Sequence, residues 1–214
     1  MSTNPNFEIA ALVDDLRPVR AMKVRTGLAL AGIAAVGVIL STILLLGLRP
    51  DVAAGHFQPL FLFANGLFLI VALGTALAAI GIGLPRVGQS SQGWKSVVTA
   101  LGLLPVAALI MLVSRTERMP LALVTSHDVK CVTMGLALGL VNAGVLVWWL
   151  RRGAPTSPER AGLLVGVSSG AVGIFAFAFH CPFDSFYHVG LWHMMPLLLG
   201  AVIGRLVVPP LVRW

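Results

Sequence analysis

The sequence predicts an all-α integral membrane protein with six transmembrane helices, both termini on the cytoplasmic side, preceded by a short cytoplasmic amphipathic helix. Three observations predict it. The first is composition: of 214 residues, 57% are hydrophobic and 11% charged, with mean hydropathy +0.93. A soluble domain carries about a quarter charged residues, so most of this surface must face lipid rather than water. The second is six apolar runs, at about 27–48, 60–84, 95–113, 131–150, 161–180 and 190–208. Each approaches the roughly 20 residues that cross a bilayer core, where backbone groups must pair internally and helix is the available form. The third is charge placement. With the N-terminus inside, the cytoplasmic side holds 11 Lys and Arg (17, 20, 23, 25, 86, 95, 151, 152, 160, 205 and 213) and the outer side 4 (49, 115, 118 and 130). That asymmetry sets the N-in, C-in orientation.

Two units follow: a cytoplasmic segment, 1–26, and a six-helix membrane domain, 27–214. The net charge of +7 is scattered between apolar runs rather than clustered, so direct contact with nucleic acid is not expected. The first apolar run is longer than the 7–15 residues or so of a signal-peptide core, and no A-x-A site follows it.

Within the N-terminal segment, Ile9, Leu12, Val13 and Leu16 recur at helical spacing. Pro5 suits a first turn and Pro18 ends the helix. Such a short helix is marginal alone and must bury its stripe against the bilayer surface, the bundle or a protein. A membrane-surface helix usually has a basic polar face. Here Glu8, Asp14 and Asp15 lie on the helix and the basic residues follow it, which favours a groove on a protein partner.

The spans carry small residues at helical spacing: Gly135 and Gly139; Gly162, Gly166 and Gly170; Gly200 and Gly204. These let helices approach closely, either within one bundle, the simpler reading, or across a homodimer seam. Pro105 and Pro196 are expected to kink the third and sixth spans. No Asp or Glu lies mid-span, which disfavours ion or proton transport. Asn65, Thr75, Asn142, Ser168 and Ser169 read as interhelical hydrogen-bonding groups.

The predicted outer face collects the reactive side chains. Both cysteines, Cys131 and Cys181, and all 5 histidines, His56, His127, His180, His188 and His193, fall there. Three readings stand: a disulfide, as an oxidising periplasm permits; a soft or borderline metal site drawing on Cys131, Cys181, His127, His180, Asp184, His188 and His193; or small buried thiols beside interfacial histidines. At the start of the fourth span, Cys131 would have its thiolate favoured by the helix dipole. No cofactor is required; zinc or a heavy metal could bind transiently at the thiols. A thiol oxidoreductase and a small metal transporter are the competing functions, but no CxxC pair is present.

The Leu12-Val13-Asp14-Asp15-Leu16-Arg17-Pro18-Val19 segment, six spans in about 210 residues, and Cys181-Pro182-x-Asp184-Ser185…His188…Leu191-Trp192-His193 between spans five and six resemble the NrsF-like family. That family comprises bacterial membrane proteins that negatively regulate extracytoplasmic-function sigma factors. The resemblance covers essentially the whole chain. It implies a non-enzymatic anti-sigma factor of the bacterial inner membrane. In it, Leu12, Val13, Asp15, Leu16, Pro18 and Val19 would contact the sigma factor. Cys131 and Cys181 would sense heavy metal or oxidative stress.

Overall fold

The computed structural model describes residues 13–14, 22–84, 102, 105–106, 109, 124–153 and 155–212. Among them, five helices are long and apolar enough to cross a membrane, and there is no strand. We label them α1 (Val24–Leu46), α2 (Pro59–Ile82), α3 (Ser126–Arg152), α4 (Pro158–Ala178) and α5 (Met195–Val212). These correspond to the first, second, fourth, fifth and sixth predicted runs. The third, 95–113, lies mostly outside the described residues, as does any kink at Pro105; positions 102, 105, 106 and 109 are helical. Of the predicted N-terminal helix, Val13 and Asp14 are helical and exposed, whereas Leu12, Asp15, Leu16, Pro18 and Val19 lie outside the described residues.

Starts and stops follow local chemistry. Pro59 and Pro158 occupy first-turn positions, where a missing N–H costs nothing. Thr125 and Asp128 form a reciprocal capping box at the head of α3. Arg151 and Arg152 close its last turn, where the helix dipole favours cations.

Helix α4 is the axis of the bundle, with 89% of its most apolar window buried, against 17% for α1. It packs most extensively on α5, then α3, then α2. Such burial is possible because the partners meet at glycines. A Cβ on Gly166 would collide with the Gly200 carbonyl of α5, and one on Gly173 with the Gly135 carbonyl of α3. Lipid supplies no hydrophobic drive between helices, so this close approach and its dispersion contacts hold the bundle together. The glycine stripes are thereby consumed inside one chain, not at a homodimer seam. At the periphery, α1 buries only Gly27, Ala31, Ala34, Val38 and Thr42, one helical stripe. Its Ile33, Leu44 and Leu45 remain exposed on the outside of the bundle.

The buried polar groups divide. Asn142 Nδ2 donates to Ser168 and Ser169 Oγ at 3.3 and 3.4 Å, and Ser168 Oγ donates to the Ala72 carbonyl at 3.1 Å, tying α3, α4 and α2. Thr75, expected to bond between helices, instead donates to Val71 O one turn back at 2.6 Å, because a threonine hydroxyl reaches its own i−4 carbonyl.

Two departures shape the end of the bundle that holds the cysteines. The sixth span does not begin as a regular helix at Gly190: residues His188–Trp192 form a π turn, with the His193 N–H donating to the His188 carbonyl. Pro196 does not kink α5 either. It sits in the first turn, where proline disrupts nothing, with a break just before it.

Candidate functional site

The polar end of the bundle is built where α3 starts and α4 stops. Cys131 is in the second turn of α3, five residues past its first residue, Ser126. It therefore lies beyond the first turn, where a helix dipole acts, and that effect cannot be what activates its thiol. Cys181 follows the C-terminus of α4, its N–H donating to Phe177 O at 3.1 Å. Because α3 and α4 are antiparallel neighbours, two thiols 50 positions apart meet at Sγ–Sγ 3.7 Å. Both are free and buried. The separation is far beyond a disulfide bond of about 2.05 Å.

The π turn brings the histidines in. In a regular α-helix, residues five apart lie about 140° apart around the axis. A turn closed by i→i+5 bonds is wider and returns them to one side. His188 and His193 thus stand with ring centroids 5.0 Å apart, edge to face. One ligand atom each from Cys131, Cys181, His188 and His193 lie within 4.8 Å of one another, and all four residues are buried. His188 Nε2 is 3.3 Å from Cys131 Sγ and 3.4 Å from Cys181 Sγ. The Cys181 thiol is held well below its ordinary range, first by its hydrogen bond with Cys131 and then, against the effect of burial, by His188 and His193.

Asp128 completes the arrangement. Its Oδ1 accepts from His188 Nδ1 at 2.7 Å, while its Oδ2 accepts from the Thr125 backbone N–H and hydroxyl, each at 2.7 Å. Both groups are buried, and the pairing assigns the proton to Nδ1, leaving Nε2 toward the sulfurs. Sequence reasoning missed Asp128. The available signal was the Thr125-x-x-Asp128 cap, which sets the carboxylate one turn before Cys131 on the same face.

Three expected ligands are placed elsewhere. His127 is exposed and rests edge-on against Phe183, ring centroids 5.2 Å apart. His180 Nδ1 lies 3.1 Å from the Gly47 carbonyl. Asp184 is taken by Arg49, whose Nη1 donates to Asp184 Oδ1 at 2.9 Å and whose Nη2 donates to Asp184 Oδ2. Arg49 Nε also donates to Asp51 Oδ1 at 2.6 Å. Burial works against the Arg49 charge, but the bonds to Asp184 and Asp51 outweigh it and hold the guanidinium above its ordinary pKa. The same contact, led by the Arg49 hydrogen bond, keeps the Asp51 carboxyl below its ordinary range. This clamp joins the loop after α1 to the loop carrying Cys181, reinforced by the Arg49 N–H bond to Phe179 O at 2.9 Å. A cavity of ≈ 250 Å³ is lined by Arg49, His127, Lys130, His180 and both cysteines.

The chain matches known proteins along nearly its full length. A family model described as negative regulator of sigma F, NrsF, matches residues 12–214. An anti-sigma-F factor NrsF from Caulobacter vibrioides is 28% identical over 190 residues, 86% of this chain and 88% of that protein. A probable anti-sigma-F factor NrsF from Azospira oryzae is 24% identical over 185 residues, 86% of each. No solved structure matches. With the family model spanning all but the first 11 residues, the chain belongs to the NrsF family, negative regulators of sigma F.

Proposed function

We propose that this protein is a membrane-bound anti-sigma factor of the bacterial inner membrane. Its cytoplasmic N-terminal segment holds an extracytoplasmic-function sigma factor away from RNA polymerase. The Cys131/Cys181 cluster, on the periplasmic side, reads heavy metal or oxidative stress and triggers release. Family membership supports a sigma factor as the partner. The sidedness follows from the 11-to-4 division of Lys and Arg.

The observation that carries the reading is a separation of ends. Gly27, near the start of α1, packs on Trp149 near the end of α3. Cys131 lies near the start of α3, 18 residues away, which is about 27 Å of helix. The segment before α1 therefore departs from the end opposite the cysteines. Input and output sit on opposite sides, as a transmembrane signal needs and an outer-face enzyme does not.

Cys131 is carried by α3, and Cys181, His188 and His193 by the segment that links α4 to α5; these helices meet at glycines, so a change in packing at the cluster moves them as stiff rods. Turning a 99:1 bound population into 1:99 takes roughly 5.5 kcal/mol of differential affinity. Forming metal–thiolate bonds or a disulfide supplies energy on that scale.

Deletion of residues 1–20 should leave the protein inserted and abolish sigma-factor retention on membranes, read by cofractionation of the two proteins. Undiminished retention by the truncated chain, at normal membrane levels, contradicts the assignment of the N-terminal segment.

A further inference from the structure

We propose that Cys131, Cys181, His188 and His193 form a preorganised, closed tetrahedral centre for a divalent metal of the zinc class, with Asp128 as the residue that positions His188. The proposal deepens the reading of this cluster as the input site, and rests on it for its place in signalling.

The geometry carries it. Zinc–sulfur bonds of about 2.3 Å at tetrahedral angles set two thiolates about 3.8 Å apart, and a thiolate and an imidazole nitrogen about 3.6 Å apart. The cluster has Sγ–Sγ at 3.7 Å and Sγ–Nε2 at 3.3 and 3.4 Å. These edges are those of a coordination sphere, reached with only small adjustments. The fourth residue adds an independent observation: His193 is 3% exposed, and its Nε2 is buried with no hydrogen-bond partner. An orphaned buried polar nitrogen is costly unless something else satisfies the ring.

Donor chemistry selects the ion. Two sulfurs and two imidazole nitrogens suit zinc and its thiophilic congener cadmium, and are poor ligands for magnesium or calcium. Two thiolates neutralise a dication, so the filled site adds no net charge to an apolar interior. Four protein ligands leave no open position, which marks a structural or sensing site rather than a hydrolytic one. Asp128 supplies the outer-shell carboxylate that metal-bound histidines commonly use: its 2.7 Å bond to Nδ1 holds the ring with Nε2 toward the sulfurs.

The test uses the full chain, purified in detergent without chelator, with metal content measured directly and cobalt(II) substituted as a spectroscopic probe. The expected result is a single equivalent of zinc, and a cobalt form showing tetrahedral d–d bands with sulfur-to-cobalt charge transfer. Cys131→Ser, Cys181→Ser and His193→Ala should each lose stoichiometric metal. His127→Ala, His180→Ala and Asp184→Asn should keep it. Asp128→Asn should weaken zinc binding about 10–100-fold and alter the cobalt spectrum. Thr125→Ala removes the cap hydroxyl but leaves the His188 partner, so it should bind nearly as wild type and thereby separates positioning from helix capping. Helix content by circular dichroism shows that each variant is folded. Substoichiometric metal in folded wild type, an octahedral cobalt spectrum, or stoichiometric binding by the His193→Ala chain overturns the centre. Metal bound as expected, with no sigma factor retained by the wild-type chain, would overturn the functional reading and leave the centre standing. Cysteine-dependent release by an oxidant from a chain that binds no metal would do the reverse.

Discussion

At the scale of single residues, the cysteine end of the bundle is organised by two carboxylate-anchored side chains. Asp128 anchors His188, and Asp51 with Asp184 anchors Arg49. Arg49 is 4% exposed, so it depends on both partners; a buried charge that loses a partner is costly. This clamp gives a pH dependence with a definite sign. The Asp51 carboxyl is held below its ordinary value when folded. Its contribution to stability is therefore full above the ordinary aspartate pKa of about 3.9 and is lost as pH falls through the depressed folded value. Thermal unfolding in detergent should show Asp51→Asn less stable than wild type at pH 7, with the gap closing in acid below about pH 4. A gap that widens as the pH falls would contradict the clamp.

At the scale of elements, helix–helix contact depends on the absence of side chains. Gly166 of α4 faces Gly200 of α5 so closely that a Cβ on either would meet the other's backbone carbonyl. Backbone cannot yield as a side-chain tip does, so overpacking here costs at least the usual 1–3 kcal/mol or so. Gly166→Val should sharply reduce folded, monodisperse protein in detergent, whereas Gly144→Val, at an open position, should not. Equal yields would mean that α4 and α5 do not pack as described. The helices were legible in the sequence because apolar runs bounded by Pro, Gly and charge have few alternatives in lipid. The glycine stripes were legible as packing faces for the same reason. The π turn at His188–Trp192 was not. Residues 190–208 read as one continuous apolar helix, and nothing in periodicity marks where a turn will widen.

At the scale of the whole molecule, topology made part of the site readable. Antiparallel helices return to one face, so the membrane reading foresaw that Cys131 and Cys181, 50 positions apart, share one end of the bundle; that their thiols meet at 3.7 Å it did not foresee. It could not choose among the surrounding histidines, because every His lay on the same predicted face. The choice depended on side-chain partners: Gly47 O takes His180, Phe183 covers His127, and Arg49 takes Asp184. What remains, Cys131, Cys181, His188 and His193, is the buried set whose ligand atoms lie within 4.8 Å of one another.

In the proposed function, the thiols of Cys131 and Cys181 control release of the sigma factor from the opposite face of the membrane. The most direct measurement is membrane retention of the sigma factor before and after exposure to cadmium or dichromate, for wild type and for Cys131→Ser/Cys181→Ser. Wild type is expected to release its partner into the soluble fraction, while the double variant, inserted at the same level, holds one state whatever is added. A double variant that releases the sigma factor as fully as wild type would contradict it.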